Sequence, residues 1–187
     1  MLIKESISEY RYLNFGNIKL GFAMVCEDDV FRDVYFSANS LYFVETGTAT
    51  LRAEGKLVTL KEGEIALIKQ HSRIDIEKKR NEKNDKDFRS VIFYLFPDFI
   101  SEFFKTSKKK GKNSQTITSN VIPLTKKNHS KELSQALLSA FTDNNSDKAI
   151  LKEKTFEAVS LLIKRNKDMA TFLINNGDPI KIDLYEF

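Results

Sequence analysis

The two histidines are the first residues to consider as metal ligands. A catalytic metal site in a small β-barrel needs two or three histidines and a carboxylate directed at one open coordination position. The 187-residue sequence contains only His71 and His129, which are far apart and form neither an H-x-H nor an H-x-x-x-H motif. A histidine beside a turn is more often a surface or capping residue than a ligand. We therefore predict no metal site and no cofactor.

Nucleophilic chemistry has equally few candidates. Cys26, the single cysteine, lies on the apolar side of an alternating stretch, which is typical of a small buried hydrophobe. The sequence has no G-x-S-x-G motif and no P-loop. Glu45 has the same strand parity as Phe43, but Gly47 follows closely, which favours an exposed strand end. We predict that the chain is not an enzyme.

Gly63, Glu64 and Arg73 are spaced somewhat as in cyclic-nucleotide-binding domains. In those domains the glycine and glutamate begin a short helix, and the arginine pairs with the cyclic phosphate. Here the intervening residues alternate as in a strand, so a turn glycine between two strands is favoured. A cyclic-nucleotide sensor remains an alternative interpretation.

Composition and charge exclude several classes of protein. The chain is 41% hydrophobic and 30% charged, as in an ordinary globular domain. Its net charge of +4 is too small to indicate nucleic-acid binding by itself. No apolar run approaches the roughly 20 residues that span a bilayer, and the first residues lack the apolar core of a secretory signal. The lone cysteine fits a reducing compartment. We predict a cytoplasmic protein without a membrane partner.

The apolar residues of positions 18–97 repeat with period two and predict about eight short strands. The strands follow one another without intervening helices, so the sheet must be antiparallel, as in a sandwich or barrel. Glu54 and Gly55 predict a tight turn, and the charged residues 77–89 predict a hydrated hairpin tip. Pro97 and Asp98 then favour the start of a short helix.

After a lysine-containing stretch the period changes to 3.6, which predicts helices over 130–143, 147–166 and 168–177. The middle helix has an apolar stripe that is a candidate dimer interface: Phe156, Val159, Leu162 and Ile163. Packing of this stripe inside one monomer is equally compatible with the pattern.

Residues 41–76 resemble a segment of a known family. They contain a predicted strand, a glycine, a second strand, an E-G-K turn and the sequence L-K-E-G-E. They resemble the cupin-type roll at the N-terminus of AraC/XylS-type transcriptional regulators, and the similarity continues through residues 90–104 and the predicted helices. Residues 177–187 are similar to the segment that leads into the helix-turn-helix domain of these regulators. The resemblance therefore covers most of the chain.

This resemblance implies an α+β fold, with an antiparallel cupin-like β-roll, or jelly roll, followed by a C-terminal helical dimerisation unit. It also implies about 100 further residues of DNA-binding domain, which this chain lacks, so DNA would be bound only through that domain. The predicted organisation is a roll with its terminal helix at 1–105, a flexible loop at 106–120, a helical dimerisation region at 121–178 and the start of a linker at 179–187.

The function that the resemblance implies is effector sensing combined with homodimerisation through the C-terminal helices. Six apolar residues on strand parities are candidates for a ligand pocket, although a solid core fits the same pattern: Phe22, Phe36, Phe43, Leu51, Leu67 and Phe93. Few polar groups accompany them, which favours an apolar small-molecule effector or an antagonist protein over a sugar. A small metal-free cupin that binds a sugar or another small ligand is the other alternative.

Overall fold

A computed structural model describes residues 8–16, 18–107 and 119–124, together with the helical positions 149, 153, 156, 159, 160, 172 and 173. In these residues an α-helix, α1 (Pro97–Ser107), follows the ninth strand, and a 3-10 turn, Glu82–Asn84, joins the eighth strand to the ninth. The strands are β1 (Glu9–Phe15), β2 (Ile18–Val25), β3 (Asp29–Phe36), β4 (Asn39–Thr46), β5 (Thr48–Ala53), β6 (Lys56–Lys61), β7 (Ile65–Ile68), β8 (Ser72–Lys79), β9 (Phe88–Leu95) and β10 (Val121–Pro123).

The strands form two antiparallel sheets that face each other. One sheet has the strand order β1-β2-β9-β4-β7-β10, and the other has the order β3-β8-β5-β6. The chain passes from one sheet to the other at most of its turns, which is the connectivity of a jelly roll. The predicted antiparallel roll is confirmed.

The central strands β4 and β7 of the six-stranded sheet are buried on both faces. In β4 every residue from Asn39 to Val44 is buried, so its apolar side chains point alternately to two different layers. One is the helix-side layer, which contains Leu41, Phe43 and the buried residues of α1. The other is the inter-sheet layer, which contains Tyr42, Val44 and residues of the four-stranded sheet.

Helix α1 covers the outer face of the six-stranded sheet. It begins at Pro97, as predicted, and Asp98 in its first turn complements the positive end of the helix dipole. Phe99 is fully buried, and its ring meets the ring of Phe93 edge to face at 5.4 Å between centroids. Phe156 packs on the same helix, with its ring centroid 5.2 Å from that of Phe99.

Two strands were not predicted. β1 pairs with β2 along its whole length, and β10 pairs with β7, where Val121 lies opposite Ile68. Residues 121–123, at the start of the predicted helical region, thus form a strand. Three residues are too few to produce a recognisable period, so the sequence did not indicate this strand. The core of the predicted 106–120 loop and the 179–187 segment lie outside the described residues.

The predicted hydrated hairpin tip is shorter than residues 77–89. β8 continues to Lys79, and β9 already begins at Phe88. Lys78 and Phe88 are both buried, with exposed fractions of 6% and 0%. The high density of charged residues concealed the alternation that continues through both strand ends.

Gly47, between β4 and β5, cannot be replaced without strain. Its φ of +86° lies in the left-handed region, and a Cβ there would overlap the carbonyl oxygen of Lys79. We expect Gly47→Ala to lower the free energy of unfolding by roughly 2–4 kcal/mol, as measured by urea denaturation. Gly55→Ala is the matched control, because Gly55 has a φ of +76° but open space around it, and should cost about 1 kcal/mol. Equal losses in both variants would contradict this account.

Candidate ligand-binding site

A cavity of about 130 Å³ lies between the two sheets. The six-stranded sheet contributes residues of β1, β2, β4 and β9, and the four-stranded sheet contributes residues of β3 and β8. The lining is mainly aromatic and aliphatic: Tyr10, Tyr12, Gly21, Phe22, Ala23, Phe31, Val34, Tyr35, Phe36, Tyr42, Ile76, Lys78, Ile92 and Tyr94. Three of the lining tyrosines, at positions 10, 12 and 35, are exposed by 42–59%, so the cavity borders solvent on their side.

Small residues on β2 create the space. Gly21 lies directly opposite Tyr12 on one neighbouring strand and Ile92 on the other, and Ala23 follows on the same face. A Cβ on Gly21 would lie 3.3 Å from the Tyr12 ring and 3.6 Å from the Tyr94 ring. The missing side chain therefore allows the tyrosines to pack over the backbone at the rim of the cavity.

Lys78 is the basic residue among those that line the cavity. It takes the inward position on β8 that Ile74 and Ile76 take earlier in the strand. Its Nζ lies 4.1 Å from the centroid of the Phe31 ring and 5.0 Å from that of Tyr10. The ammonium group is thus held among aromatic rings, which attract cations by their quadrupoles.

The charge of Lys78 has no ion-pair partner in the part of the chain that the structure describes. Burial lowers its pKa to about 8, and the negative charge of Asp29 offsets this lowering only in part. Asp29 lies opposite Lys78 in the β3–β8 pair, and its carboxylate accepts the N–H of Val30 at 2.8 Å.

Two buried hydroxyl groups lie on the facing sheet. Tyr42 is fully buried and lines the cavity, and Ser90 is its diagonal neighbour on β9. Neither hydroxyl oxygen has a hydrogen-bond partner among the described residues, although Ser90 is near enough to favour ionised Tyr42 slightly. Burial raises the pKa of Tyr42, so the group stays a neutral donor at physiological pH.

Gly63 and Glu64 form a turn between β6 and β7, as predicted, and do not begin a helix. The Gly63 N–H donates to the Val44 carbonyl at 2.8 Å, and the Glu64 carboxylate accepts the Lys61 N–H at 2.8 Å. Arg73 is exposed on the outer side of β8 and forms an ion pair with Asp33. This arrangement gives no support to a cyclic-phosphate site.

His71 and Cys26 have the surroundings that the sequence indicates. His71 is an exposed turn residue, and its Nδ1 lies 2.7 Å from the Tyr35 hydroxyl oxygen. Cys26 is buried, and burial is the main reason that its thiol pKa is raised. Glu45 differs from the exposed position expected for it, because it is half-buried and burial raises the pKa of its carboxyl group. His129 lies outside the described residues.

The six predicted pocket residues are divided between the two apolar layers. Phe43, Leu67 and Phe93 belong to the helix-side layer, and Phe22 packs against that layer. Phe36 and Leu51 belong to the inter-sheet layer. Of the six, Phe22 and Phe36 line the cavity.

Of the four predicted interface residues, Val159 is buried in the helix-side layer and Phe156 packs against it. Leu162 and Ile163 lie outside the described residues. The first half of the stripe therefore packs within the monomer.

Lys78 and Tyr42 were not predicted from the sequence as lining residues, although the sequence around each residue indicates an inward position. Lys78 continues the inward parity of Ile74 and Ile76. Tyr42 lies between two apolar residues in an uninterrupted apolar run, which is typical of a strand buried on both faces. A lysine on an inward parity is the stronger of the two signals, because buried lysines are rare.

The ExsA N-terminal regulatory domain family matches residues 39–172 of the chain. The chain belongs to this family. It is accordingly a cupin-like regulatory domain of the AraC type, as the sequence resemblance indicates. Among curated proteins none matches the sequence.

Solved structures of ToxT from Vibrio cholerae share the fold of this ExsA-type domain. An apo single-residue variant has a TM-score of 0.61 at 11% identity, over 82% of this chain and 58% of that one. ToxT bound to (E)-4-(8-methylnaphthalen-1-yl)but-3-enoic acid has a TM-score of 0.57 at 13% identity, over 79% and 57%. Wild-type ToxT bound to an unsaturated fatty acid has a TM-score of 0.54 at 10% identity, over 81% and 56%. The ExsA-type chain thus matches less than two thirds of the length of ToxT.

Within the described part of the ExsA-type chain, no helix has the length and apolar character needed to cross a membrane. The same residues contain no group of three or more histidine, cysteine, aspartate or glutamate side chains placed to hold a metal ion.

The buried positive charge of Lys78 should destabilise the folded domain. We expect Lys78→Met to raise the free energy of unfolding at pH 7 by roughly 2–3 kcal/mol, because the ammonium group is no longer desolvated on folding. The folded pKa of about 8 lies below the unfolded value of 10.5, so between these pH values the unfolded chain binds more protons. The stability of the wild type therefore rises with pH in this range, and the difference from Lys78→Met should fall to about half at pH 9.5.

Urea denaturation at pH 7 and pH 9.5 measures both effects. Lys79→Met is the control, because Lys79 is an exposed neighbour that pairs with Glu77 at 2.9 Å. Tyr10 also faces Lys78, and burial, with the nearby charge of Asp29, raises the pKa of its hydroxyl group and so moves its ionisation to higher pH. A Lys78→Met variant less stable than the wild type would show that the ammonium group is already well compensated.

Proposed function

We propose that this domain senses a small effector that binds in the cavity between its sheets, as part of an AraC-type transcriptional regulator in the cytoplasm. The observation that carries the proposal is the cavity itself, in which an unpaired ammonium and an unbonded hydroxyl group face a mainly aromatic space. Packed cores do not leave such groups without partners unless a ligand or water completes them.

The geometry of the roll supports a sensing role. The cavity lies on one face of the six-stranded sheet and α1 lies on the other, so a ligand contacts the same strands that support the helix. Tyr42 lines the cavity, and the next residue, Phe43, lies in the helix-side layer. Structures of ToxT, which shares the fold, contain an unsaturated fatty acid or a naphthyl-substituted butenoic acid. An apolar body with a polar end also suits the cavity of this chain.

A second part of the proposal concerns assembly. We infer that the C-terminal helices form a homodimer interface, in which Leu162 and Ile163 contact the partner while Phe156 and Val159 anchor the helix to the roll. The rings of Phe156 and Phe103, 5.6 Å apart, support the anchoring role. DNA would then be bound by a further domain of the regulator. An antagonist protein as the source of the signal stays a prediction.

Filling the cavity tests effector binding. Benzene is a suitable probe, because an apolar cavity of roughly 150 Å³ accepts it. We expect benzene near saturation to raise the melting temperature of the wild type by about 2–5 °C. Ala23→Leu, which places three more carbon atoms in the cavity, should abolish the shift while the protein stays folded. Leu57→Ala is the control, because Leu57 is 57% exposed and is not among the lining residues. No shift in the wild type, or the same shift in Ala23→Leu, would refute the proposed site.

Changing the apolar stripe tests the dimer. We expect Leu162→Glu to leave the roll folded and to convert dimers to monomers, because a charge in an apolar interface lacks a partner. Light scattering gives the mass, and far-ultraviolet circular dichroism checks the fold. A wild-type chain that is already monomeric at high concentration would remove this part of the proposal.

A further inference from the structure

We propose that Lys78 is the anchor for an anionic head group, and that the effector is a small monocarboxylate with an apolar body. The inference rests on the proposed function, since it assigns a chemical class to the ligand of the same cavity. Its first support is the position of the lysine. Lys78 is 6% exposed and lies on the inward parity of β8, where the two preceding inward residues are Ile74 and Ile76.

The second support is the missing counter-charge. A buried ammonium group is unfavourable unless an anion or several hydrogen-bond acceptors surround it. Phe31, Tyr10 and Phe88 surround Nζ at 4.1, 5.0 and 5.9 Å from their centroids, but aromatic rings compensate a full charge only in part. Asp29, on the opposite strand, is near enough to raise the pKa of Lys78 but forms no ion pair with it. A ligand carboxylate would complete the site.

The third support is a donor on the facing sheet. The Tyr42 hydroxyl group is buried and unbonded within the described structure, and Tyr42 lines the same cavity as Lys78. A carboxylate has two oxygen atoms, so one can accept from the ammonium group and the other from the tyrosine. The ammonium group can only donate and carries a full positive charge, whereas the neutral tyrosine hydroxyl group can donate or accept. The ammonium group therefore favours an anion over an alcohol or an amine, and the tyrosine supplies a further donor to that anion.

The charge and the volume of the cavity limit the chemical class of the ligand further. Lys78 is the only basic residue in the described lining, so the cavity neutralises a single negative charge and would leave a phosphate dianion unpaired. The volume of about 130 Å³ fits an apolar group the size of a benzene ring or a short alkyl chain. A longer chain would leave between the rim tyrosines, 10, 12 and 35.

Calorimetry with two matched pairs of ligands tests the assignment: hexanoate against 1-hexanol, and phenylacetate against 2-phenylethanol. Each pair has nearly the same apolar body, so the ratio of the two affinities measures the contribution of the charge. At pH 7 we expect the wild type to bind each carboxylate at least 10-fold more tightly than its alcohol. Lys78→Met should lose this preference and still bind the alcohols, whereas Lys79→Met should keep the preference.

Two more variants test the contributions of Tyr42 and Asp29 to carboxylate binding separately. Tyr42→Phe should weaken hexanoate about 5-fold and leave 1-hexanol unchanged. Asp29→Asn should bind hexanoate more tightly, because a competing carboxylate is removed; weaker binding would show that Asp29 orients the lysine and would contradict the unpaired state. Equal affinity for carboxylate and alcohol, or a preference retained by Lys78→Met, would overturn the anchor while the cavity still binds apolar molecules. If benzene, alcohols and carboxylates all fail to bind, the proposed function itself fails.

Discussion

Burial of the central strands of the six-stranded sheet on both faces is the constraint on which the rest of the structure depends. Strand β4 lies inside this sheet, and its alternate side chains enter two separate apolar layers. The helix-side layer needs α1 as a cover, and Phe93, Phe99 and Phe156 join the strand, the helix and the C-terminal residues through edge-to-face rings. These aromatic side chains stabilise the contact between α1 and the sheet, because each buries a large apolar area.

The inter-sheet layer is packed unevenly. Leu51, Leu60 and Ile74 are almost fully buried and fill one part of it, as expected for a roll of this size. Near β1 and β2 the inward residues are Gly21 and Ala23, and these leave the space that the tyrosines surround. Two small residues in the strand next to the edge of the sheet therefore contribute to the cavity, while the rest of the layer is filled by large apolar side chains.

The roll, its turns and α1 could be predicted from the sequence because their signals are local. Alternation, the Glu54–Gly55 turn and Pro97 each act within a few residues, and the left-handed φ angles of Glu54 and Gly55 agree with the turn. The cavity could not be predicted in the same way. Parity separates the two faces of a strand, but in β4 both faces are apolar, so Phe43 and Tyr42 could not be assigned to a layer without the position of the helix. β10 was missed because its three residues form a strand only by pairing with β7.

The buried ammonium group of Lys78 also bears on how long the domain survives in a cell. A protein that is less stable without its ligand opens more often, and proteases act on the opened form. Any anion that neutralises the lysine shifts this equilibrium toward the closed form by mass action. Under the proposed function, the abundance of the regulator would then follow the supply of its effector, so that the same side chain would link recognition to turnover.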